Sequence, residues 1–135
     1  MALIKWGKRY SVGVRDLDDQ HKIIVGILNE LHAVMLKGQA QSVADTLLPK
    51  LRSVTCGHFS TEERLLESTK FPGLNEQRTE HGALLDKVDG FVTRYKCGDN
   101  TMYPELLYFM RDWLLSHDLN VDKKYTSWLN EHGIR

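Results

Sequence analysis

Residues 58–62 read His-Phe-Ser-Thr-Glu, and residues 77–81 read Gln-Arg-Thr-Glu-His. The end residues of each stretch, His58 with Glu62 and Gln77 with His81, are four positions apart and therefore share one face of an α-helix. Apolar residues recur at helical spacing on either side of them, so these polar pairs occupy positions where a helix normally buries apolar side chains. The two stretches predict neighbouring helices that turn polar groups toward the interior.

Turn residues divide the whole chain into an N-terminal arm and four long periodic segments, and no β-alternation is sustained. Gly38, the Phe71-Pro72-Gly73 turn and Gly98 separate the segments. The predicted helices run from a cap at Asp16 to about Lys37, from Gln41 to Thr69 with Pro49 as a kink or as the true first turn, from a cap at Asn75 to about Lys96, and from Thr101 to about Asn130.

The arm and the short connections then indicate the fold. The arm, Ala2 to Arg15, is too apolar for a free tail and is expected to lie across the helices as a strap; its apolar side chains are Trp6, Tyr10, Val12 and Val14. Short loops place successive helices side by side in opposite directions. The sequence therefore predicts an all-α fold, an up-down-up-down antiparallel four-helix bundle with an N-terminal arm, forming a single domain over residues 1–135.

Composition excludes several classes of partner. Eighteen basic and eighteen acidic residues balance, so no overall field favours nucleic acid or an anionic membrane. No stretch has the roughly 20 apolar residues of a membrane span or the pattern of a signal peptide. Cys56 and Cys97 are isolated and are expected to be small structural hydrophobes in a reducing compartment. A cytoplasmic location is the simplest expectation.

The polar positions on the four helices are expected to lie at the same level along the axis of the bundle. Since alternate helices run in opposite directions, early positions on the first and third helices meet late positions on the second and fourth. Seven side chains would converge in this one layer: His21, His58, Glu62, Gln77, His81, His117 and Asp122. His117 and Asp122 are five residues apart, or about 140° around the helix axis, and can flank such a site broadly.

Convergence is what separates a metal site from ordinary core histidines. A lone buried histidine is more often a hydrogen-bonded core residue than a ligand, and His32, about three turns beyond His21, is expected to be structural. His132 serves as a second control. Several imidazoles with two carboxylates able to bridge suit a pair of iron ions better than a structural zinc, which usually takes four ligands including thiolates.

With the arm motif Trp6…Val12-Gly13-Val14…Asp18-x-Gln20-His21, this ligand pattern resembles that of the bacterial hemerythrins over nearly the whole chain. The resemblance implies a non-haem di-iron centre with oxo or hydroxo and carboxylate bridges that binds dioxygen reversibly. It implies that His21 and His58 hold the iron that takes oxygen, that His81 and His117 hold the second, and that Glu62 and Asp122 bridge them. The oxygen pocket implied by the resemblance is walled by Ile24, Phe59, Trp113 and Leu114.

The sequence departs from the family pattern at Gln77, where the pattern has a histidine on the second iron. A glutamine carbonyl can ligate iron but is a weaker donor than imidazole. Three outcomes follow as hypotheses: a di-iron centre with Gln77 or water as sixth ligand, which we favour; a site that loses the second iron; or a site that opens both metals to small molecules.

Three functions remain open at this level. The favoured one is a non-enzymatic oxygen-binding protein for carriage, storage or sensing. The alternative is a di-iron enzyme acting on dioxygen, peroxide or nitric oxide, since an altered ligand at Gln77 could favour oxidase or peroxidase-like reactivity. A third, weaker hypothesis is an interaction module with a vestigial metal site. No further acid-base pair or reductase-docking patch is apparent in the sequence, which favours the first.

Overall fold

The computed structural model describes residues 2–116 and 123–135, except for the side chain of residue 123. After a 3₁₀ turn at Lys8–Tyr10, the helices are α1 (Arg15–Leu36), α2 (Ala40–Ser68), α3 (Leu74–Lys96), α4 (Met102–Trp113) and α5 (Lys123–Glu131). Helix α1 packs on α2, α2 on α3, α3 on α4 and α4 on α1, which closes a ring of antiparallel neighbours. The predicted all-α four-helix bundle is confirmed. Among these described helices, none has the length and apolar character needed to cross a bilayer.

Both predicted N-caps are wrong by two residues. Helix α1 is capped by Val14 in extended geometry and α3 by Gly73, and neither cap makes a side-chain hydrogen bond. Asp16 instead lies in the first turn of α1, where its charge favours the positive end of the helix dipole. At Gly73, an added Cβ would lie 2.6 Å from Cε2 of Phe71, so packing against this ring selects glycine. Burial of Val14 in the arm and the close approach of the Phe71 ring, rather than a capping side chain, accompany these two starts.

The second and fourth helices also differ from expectation in detail. Helix α2 begins at Ala40, so Pro49 lies well inside the helix and not in its first turn. After α4, residues 114–116 have π-helical geometry, whereas the sequence predicted a continuous α-helix. Such short π segments are frequent at functional sites. The predicted continuation through residues 117–122 lies outside the described part of the chain.

Two apolar clusters fill the interior. The larger one fills most of the bundle beyond the end where α1 begins and includes Ile24, Leu28, Phe59, Leu84 and Leu106. The smaller one, here called the end cluster, consists of Val12, Val14, Leu17, Leu66, Tyr125 and Leu129. The end cluster joins the arm to α1, α2 and α5 at the end of the bundle where α1 begins.

The arm is a strap, as predicted, and side chains of α1 hold it in place. The backbone N–H of Ile4 donates to Asn29 Oδ1, and Asn29 Nδ2 donates to the carbonyl of Ile4, both at 2.8 Å. Nearer the helix start, Asp18 accepts from the backbone N–H of Val12 at 2.8 Å and from the hydroxyl of Ser11 at 2.6 Å. These bonds satisfy arm groups that no regular secondary structure would pair.

Gly13 lets the arm approach α5 closely. Its φ of +72° lies in the left-handed region, and an added Cβ would lie 2.8 Å from Cγ2 of Thr126. The hydroxyl of Thr126 donates to the carbonyl of Val12 at the same place. The Val12-Gly13-Val14 motif therefore places two buried valines in the end cluster through a turn that favours glycine.

We expect Asn29→Ala to destabilise the protein by about 1–3 kcal/mol, because two backbone groups of Ile4 lose their partner. Urea unfolding measures this cost. The matched control is Glu30→Ala, an exposed neighbour on α1, which should change stability by less than about 0.5 kcal/mol. Equal midpoints for the two variants would contradict the anchoring role of Asn29.

Candidate metal centre

A buried polar layer lies between the two apolar clusters. On α1, His21 stands between Leu17 of the end cluster and Ile24 of the larger cluster. On α2, Glu62 stands in the same way between Leu66 and Phe59. The predicted site residues in the described part of the chain are all buried in this layer: His21, His58, Glu62, Gln77 and His81.

Glu62 joins imidazoles from two directions. Its Oε2 lies 3.1 Å from Nε2 of His58, and its Oε1 lies 3.3 Å from Nε2 of His81. Nε2 of His21 lies 2.7 Å from Nε2 of His58. His21, His58 and Glu62 each offer one ligand atom, and these atoms lie within 4.8 Å of one another. The structure thus brings together ligand-type atoms from α1, α2 and α3.

Outer hydrogen bonds orient the His58 ring. Its Nδ1 lies 2.8 Å from Oε1 of Gln20, and the amide of Gln20 is oriented in turn by donating from Nε2 to Oγ1 of Thr61 at 3.0 Å. Thr61 donates its own hydroxyl to the carbonyl of Gly57. Because Gln20 Oε1 can only accept, this network assigns the proton to Nδ1 of His58 and leaves the Nε2 lone pair facing inward.

His81 has the same arrangement with a different partner. Its Nδ1 lies 2.9 Å from Oε2 of Glu63. A carboxylate is an acceptor, so Nδ1 carries the proton and Nε2 faces Glu62 inside the layer. Carboxylate or carbonyl partners on the outer nitrogen are usual for metal-ligating histidines.

The charges in the layer favour a cation. Burial alone raises the pKa of Glu62, but the facing imidazoles of His58 and His81, when they are protonated, outweigh burial and hold its pKa below the ordinary value. Burial alone lowers the pKa of His81, but the nearby carboxylates of Glu62 and Glu63 favour its protonated form and raise this pKa above the ordinary value. The layer therefore holds a carboxylate and attracts positive charge, which a proton or a metal ion can supply.

The donor set also fits a metal on geometric grounds. Two nitrogens bound to one metal at about 2.1 Å and a right angle lie about 3 Å apart, close to the separation of His21 and His58. Inward lone pairs at such separations repel one another unless a proton or cation lies between them. In the part of the chain that the structure describes, the buried Oε1 of Gln77 has no hydrogen-bond partner. This oxygen lies one turn from His81 on α3 and is available as a further metal ligand.

Three of the four residues expected to wall an oxygen pocket are buried: Ile24, Phe59 and Leu114. Trp113 is partly buried and packs against the same cluster. The ring of Phe59 stacks on His81 with centroids 3.8 Å apart and meets Trp113 edge-on at 5.5 Å. Phe59 thus covers the imidazole on α3 as well as lying next to His58 in sequence.

Two positions predicted as ligands, His117 and Asp122, lie outside the described residues. The control histidines are away from the described ligand atoms. His132 stacks on Trp128 with centroids 4.7 Å apart, and its Nδ1 lies 2.7 Å from the carbonyl of Trp128. His32 is half-buried on α1, where the apolar residues Leu28 and Leu31 precede it and Met35 follows it.

Gln20 and Glu63 are the functional residues that sequence reasoning missed. Glu63 directly follows the predicted ligand Glu62, and it contacts His81 from a neighbouring helix. No spacing in the chain reveals this contact, because its two residues are 18 positions apart on different helices. The sequence contains one signal for the role of Gln20, namely its position directly before His21, from which its side chain reaches α2.

Comparison with known proteins agrees with this geometry. Residues 12–129 match the model of the hemerythrin HHE cation-binding domain. The chain is 26% identical over 132 residues to a bacteriohemerythrin of Stenotrophomonas maltophilia, covering 98% of this chain and 85% of that protein. It is 28% identical over 126 residues to a bacteriohemerythrin of Methylococcus capsulatus, covering 93% and 95%. A crystal structure of wild-type hemerythrin superposes with a TM-score of 0.87 at 28% identity, covering 95% of this chain and 98% of that one.

Ferrous iron added without oxygen should raise the thermal midpoint, because a metal compensates the buried carboxylate and imidazoles. At a free metal concentration 100 times the Kd, the expected stabilisation is about 2.7 kcal/mol. Glu62→Ala should remove most of this rise, whereas Glu67→Ala, an exposed carboxylate on the same helix, should leave it intact. Calorimetry of all three proteins with and without iron measures it, and a midpoint indifferent to iron in the unaltered protein would refute a metal centre.

Proposed function

The chain belongs to the hemerythrin family, and from that premise we propose that it binds dioxygen reversibly at a non-haem di-iron centre, for carriage, storage or sensing. The proposed ligands are His21, His58, Glu62, Gln77, His81, His117 and Asp122. The observation that carries the proposal is the position of Glu62, whose two oxygens face imidazoles of different helices inside a buried layer.

The arrangement around Glu62 supports a bridging role. One oxygen faces His58, which pairs with His21, and the other faces His81. His21 and His58 would hold one iron ion and His81 would help to hold the other, with Glu62 between the two sets of imidazoles. When bound as a ferrous pair, iron would supply two electrons and an open coordination position to dioxygen.

The remaining work belongs to the protein's own residues. Gln20 and Glu63 hold the rings of His58 and His81 so that Nε2 faces the layer. The apolar clusters on both sides exclude water, which would otherwise solvate the buried carboxylate and promote loss of electrons to solvent species. Reversible binding requires no general acid or base, and the described layer provides a dry enclosure rather than a substrate cleft.

Gln77 is proposed as a weak ligand to the second iron. Its buried Oε1 has no partner among the described residues, and it lies on the face of α3 that presents His81. An amide oxygen that stays buried and unpaired is costly, and coordination to a cation would remove that cost. This supports the first of the three hypotheses, a di-iron centre that keeps both metals.

Hemerythrins are oxygen-binding proteins rather than enzymes, and the comparisons add no support for oxidase or peroxidase activity here.

We further propose a reducing, cytoplasmic setting. Both cysteines are free thiols, Cys56 half-buried and Cys97 exposed, and exposed free thiols persist best under reducing conditions. Because Cys97 is exposed, the expectation that it is a small structural hydrophobe is wrong.

The direct test is an ultraviolet-visible spectrum of ferrous protein exposed to oxygen, with iron per chain measured on the same sample. A visible band that appears with oxygen and disappears on deoxygenation is expected, with two irons per chain. Direct, irreversible conversion to the ferric spectrum would contradict reversible binding.

Leu114→Ala should speed autoxidation of the oxygenated protein about tenfold, because a buried pocket wall is opened to water. The decay of the visible band at fixed oxygen concentration measures the rate. Leu107→Ala, an equal truncation of a buried side chain two turns earlier in the same region, controls for general destabilisation. Equal decay in the two variants would sink the assignment of Leu114 to the pocket.

Gln77→His should tighten binding of the second iron about tenfold, or about 1.4 kcal/mol, since imidazole is the stronger donor. Gln77→Leu, which keeps the size but lacks the carbonyl, should lose that iron. Competition with a chelator under oxygen-free conditions measures both. Identical iron retention in the two variants would show that position 77 does not ligate.

A further inference from the structure

Two imidazoles of the layer, those of His58 and His81, have unlike outer partners. His58 Nδ1 contacts the amide oxygen of Gln20 at 2.8 Å, whereas His81 Nδ1 contacts the carboxylate of Glu63 at 2.9 Å. One partner is neutral and the other carries a full negative charge. Hydrogen bonds to an ionised acceptor are roughly twice as strong as bonds to a neutral one. The two halves of the layer are therefore electronically unequal.

Glu63 is held in place by an ion pair. Nε of Arg78 lies 3.2 Å from Oε1 of Glu63, and Nη2 of Arg78 lies 3.2 Å from Oε2 of Glu67. Each oxygen of Glu63 thus has its own partner, Arg78 outside and His81 inside. Arg78 directly follows Gln77 on α3, so one short segment supplies the inward amide and the outward arginine.

We propose that Glu63 is a positioning residue that compensates for Gln77: its charge strengthens electron donation by His81 and so retains the second iron. This inference rests on the proposed function, in which Gln77 and His81 hold that iron. The family pattern has a histidine at position 77, and in this chain the stronger outer partner belongs to His81, the imidazole one turn from Gln77 on α3.

The physical reason is the effect of the outer hydrogen bond on the inner nitrogen. A carboxylate draws the Nδ1 proton toward itself and leaves more electron density on Nε2, which becomes a better ligand. An amide carbonyl draws the proton less. The proposed first iron has the imidazoles of His58 and His21, which lie side by side. On the proposed second iron, the amide of Gln77 is a weaker donor than the imidazole of the family pattern, so retention of that metal depends more strongly on the donor strength of the remaining ligands, including His81.

The test compares Glu63→Gln with Glu67→Gln, alone and combined with Gln77→His. Glutamine at position 63 keeps an acceptor for His81 Nδ1 and removes only the charge. The control at position 67 removes the same charge from the same helix and from the same arginine, without touching an imidazole. Ferrous iron per chain is measured after oxygen-free dialysis against graded chelator, and circular dichroism verifies that each variant is folded.

We expect Glu63→Gln to weaken retention of the second iron 10- to 100-fold, the usual effect of losing an outer partner, and Glu67→Gln to leave it unchanged. Gln77→His should restore retention in the Glu63→Gln background. In metal-free protein, imidazole ¹⁵N spectra should show His81 protonated at Nδ1 in both the unaltered chain and Glu63→Gln, which attributes the loss to charge rather than ring orientation.

The inference is overturned if Glu63→Gln retains iron like Glu67→Gln, if Gln77→His fails to rescue it, or if the His81 tautomer changes. These results would leave the unaltered protein with two irons and the proposed function intact. An unaltered protein that holds one iron under the same conditions would instead overturn the proposed function together with this inference.

Discussion

The rest of the structure depends on one buried carboxylate. Glu62 is fully enclosed, and a charge in such a place is tolerated only if other groups compensate it. Imidazoles from α2 and α3 face its two oxygens, and each of these rings is held from behind by an acceptor on its outer nitrogen. The acceptors are anchored in turn, Gln20 by Thr61 and Glu63 by Arg78. Compensation thus extends outward from the core to the surface of the bundle.

The apolar clusters give this layer its dryness, and the arm completes one of them. Without Val12 and Val14 the end cluster would consist of side chains from α1, α2 and α5 alone, and the polar layer would lie near an open end of the bundle. Asp18 and Asn29 fasten the arm by its backbone, and Gly13 admits it against α5. A strap that looks peripheral in the sequence therefore helps to enclose the end of the bundle next to the buried carboxylate.

The sequence predicted the parts of this design that repeat along a helix. Apolar periodicity defined the helices of the bundle to within a few residues, and the antiparallel order of the helices predicted that His21, His58, Glu62 and His81 share one level. It failed where the structure depends on the arm, on a connection or on a contact between helices. The starts of α1 and α3 depend on the arm and on the Phe71 ring, and the role of Glu63 depends on a neighbouring helix. The π-helical geometry of residues 114–116 has no signal in apolar spacing, because the spacing of apolar residues there still suits an α-helix.

A bundle of this kind can alter a metal site without altering its ligands. The inner faces of α2 and α3 are constrained by the carboxylate, so a change there, such as an amide at position 77, unbalances the layer directly. The outer partners are under weaker constraint, because Glu63 is partly exposed and its ion pair with Arg78 lies at the surface. Charge can therefore be added or removed behind an imidazole at little cost to packing, and its effect reaches the interior through a single hydrogen bond. The hydrogen-bond partner behind each ring thus contributes to its donor strength.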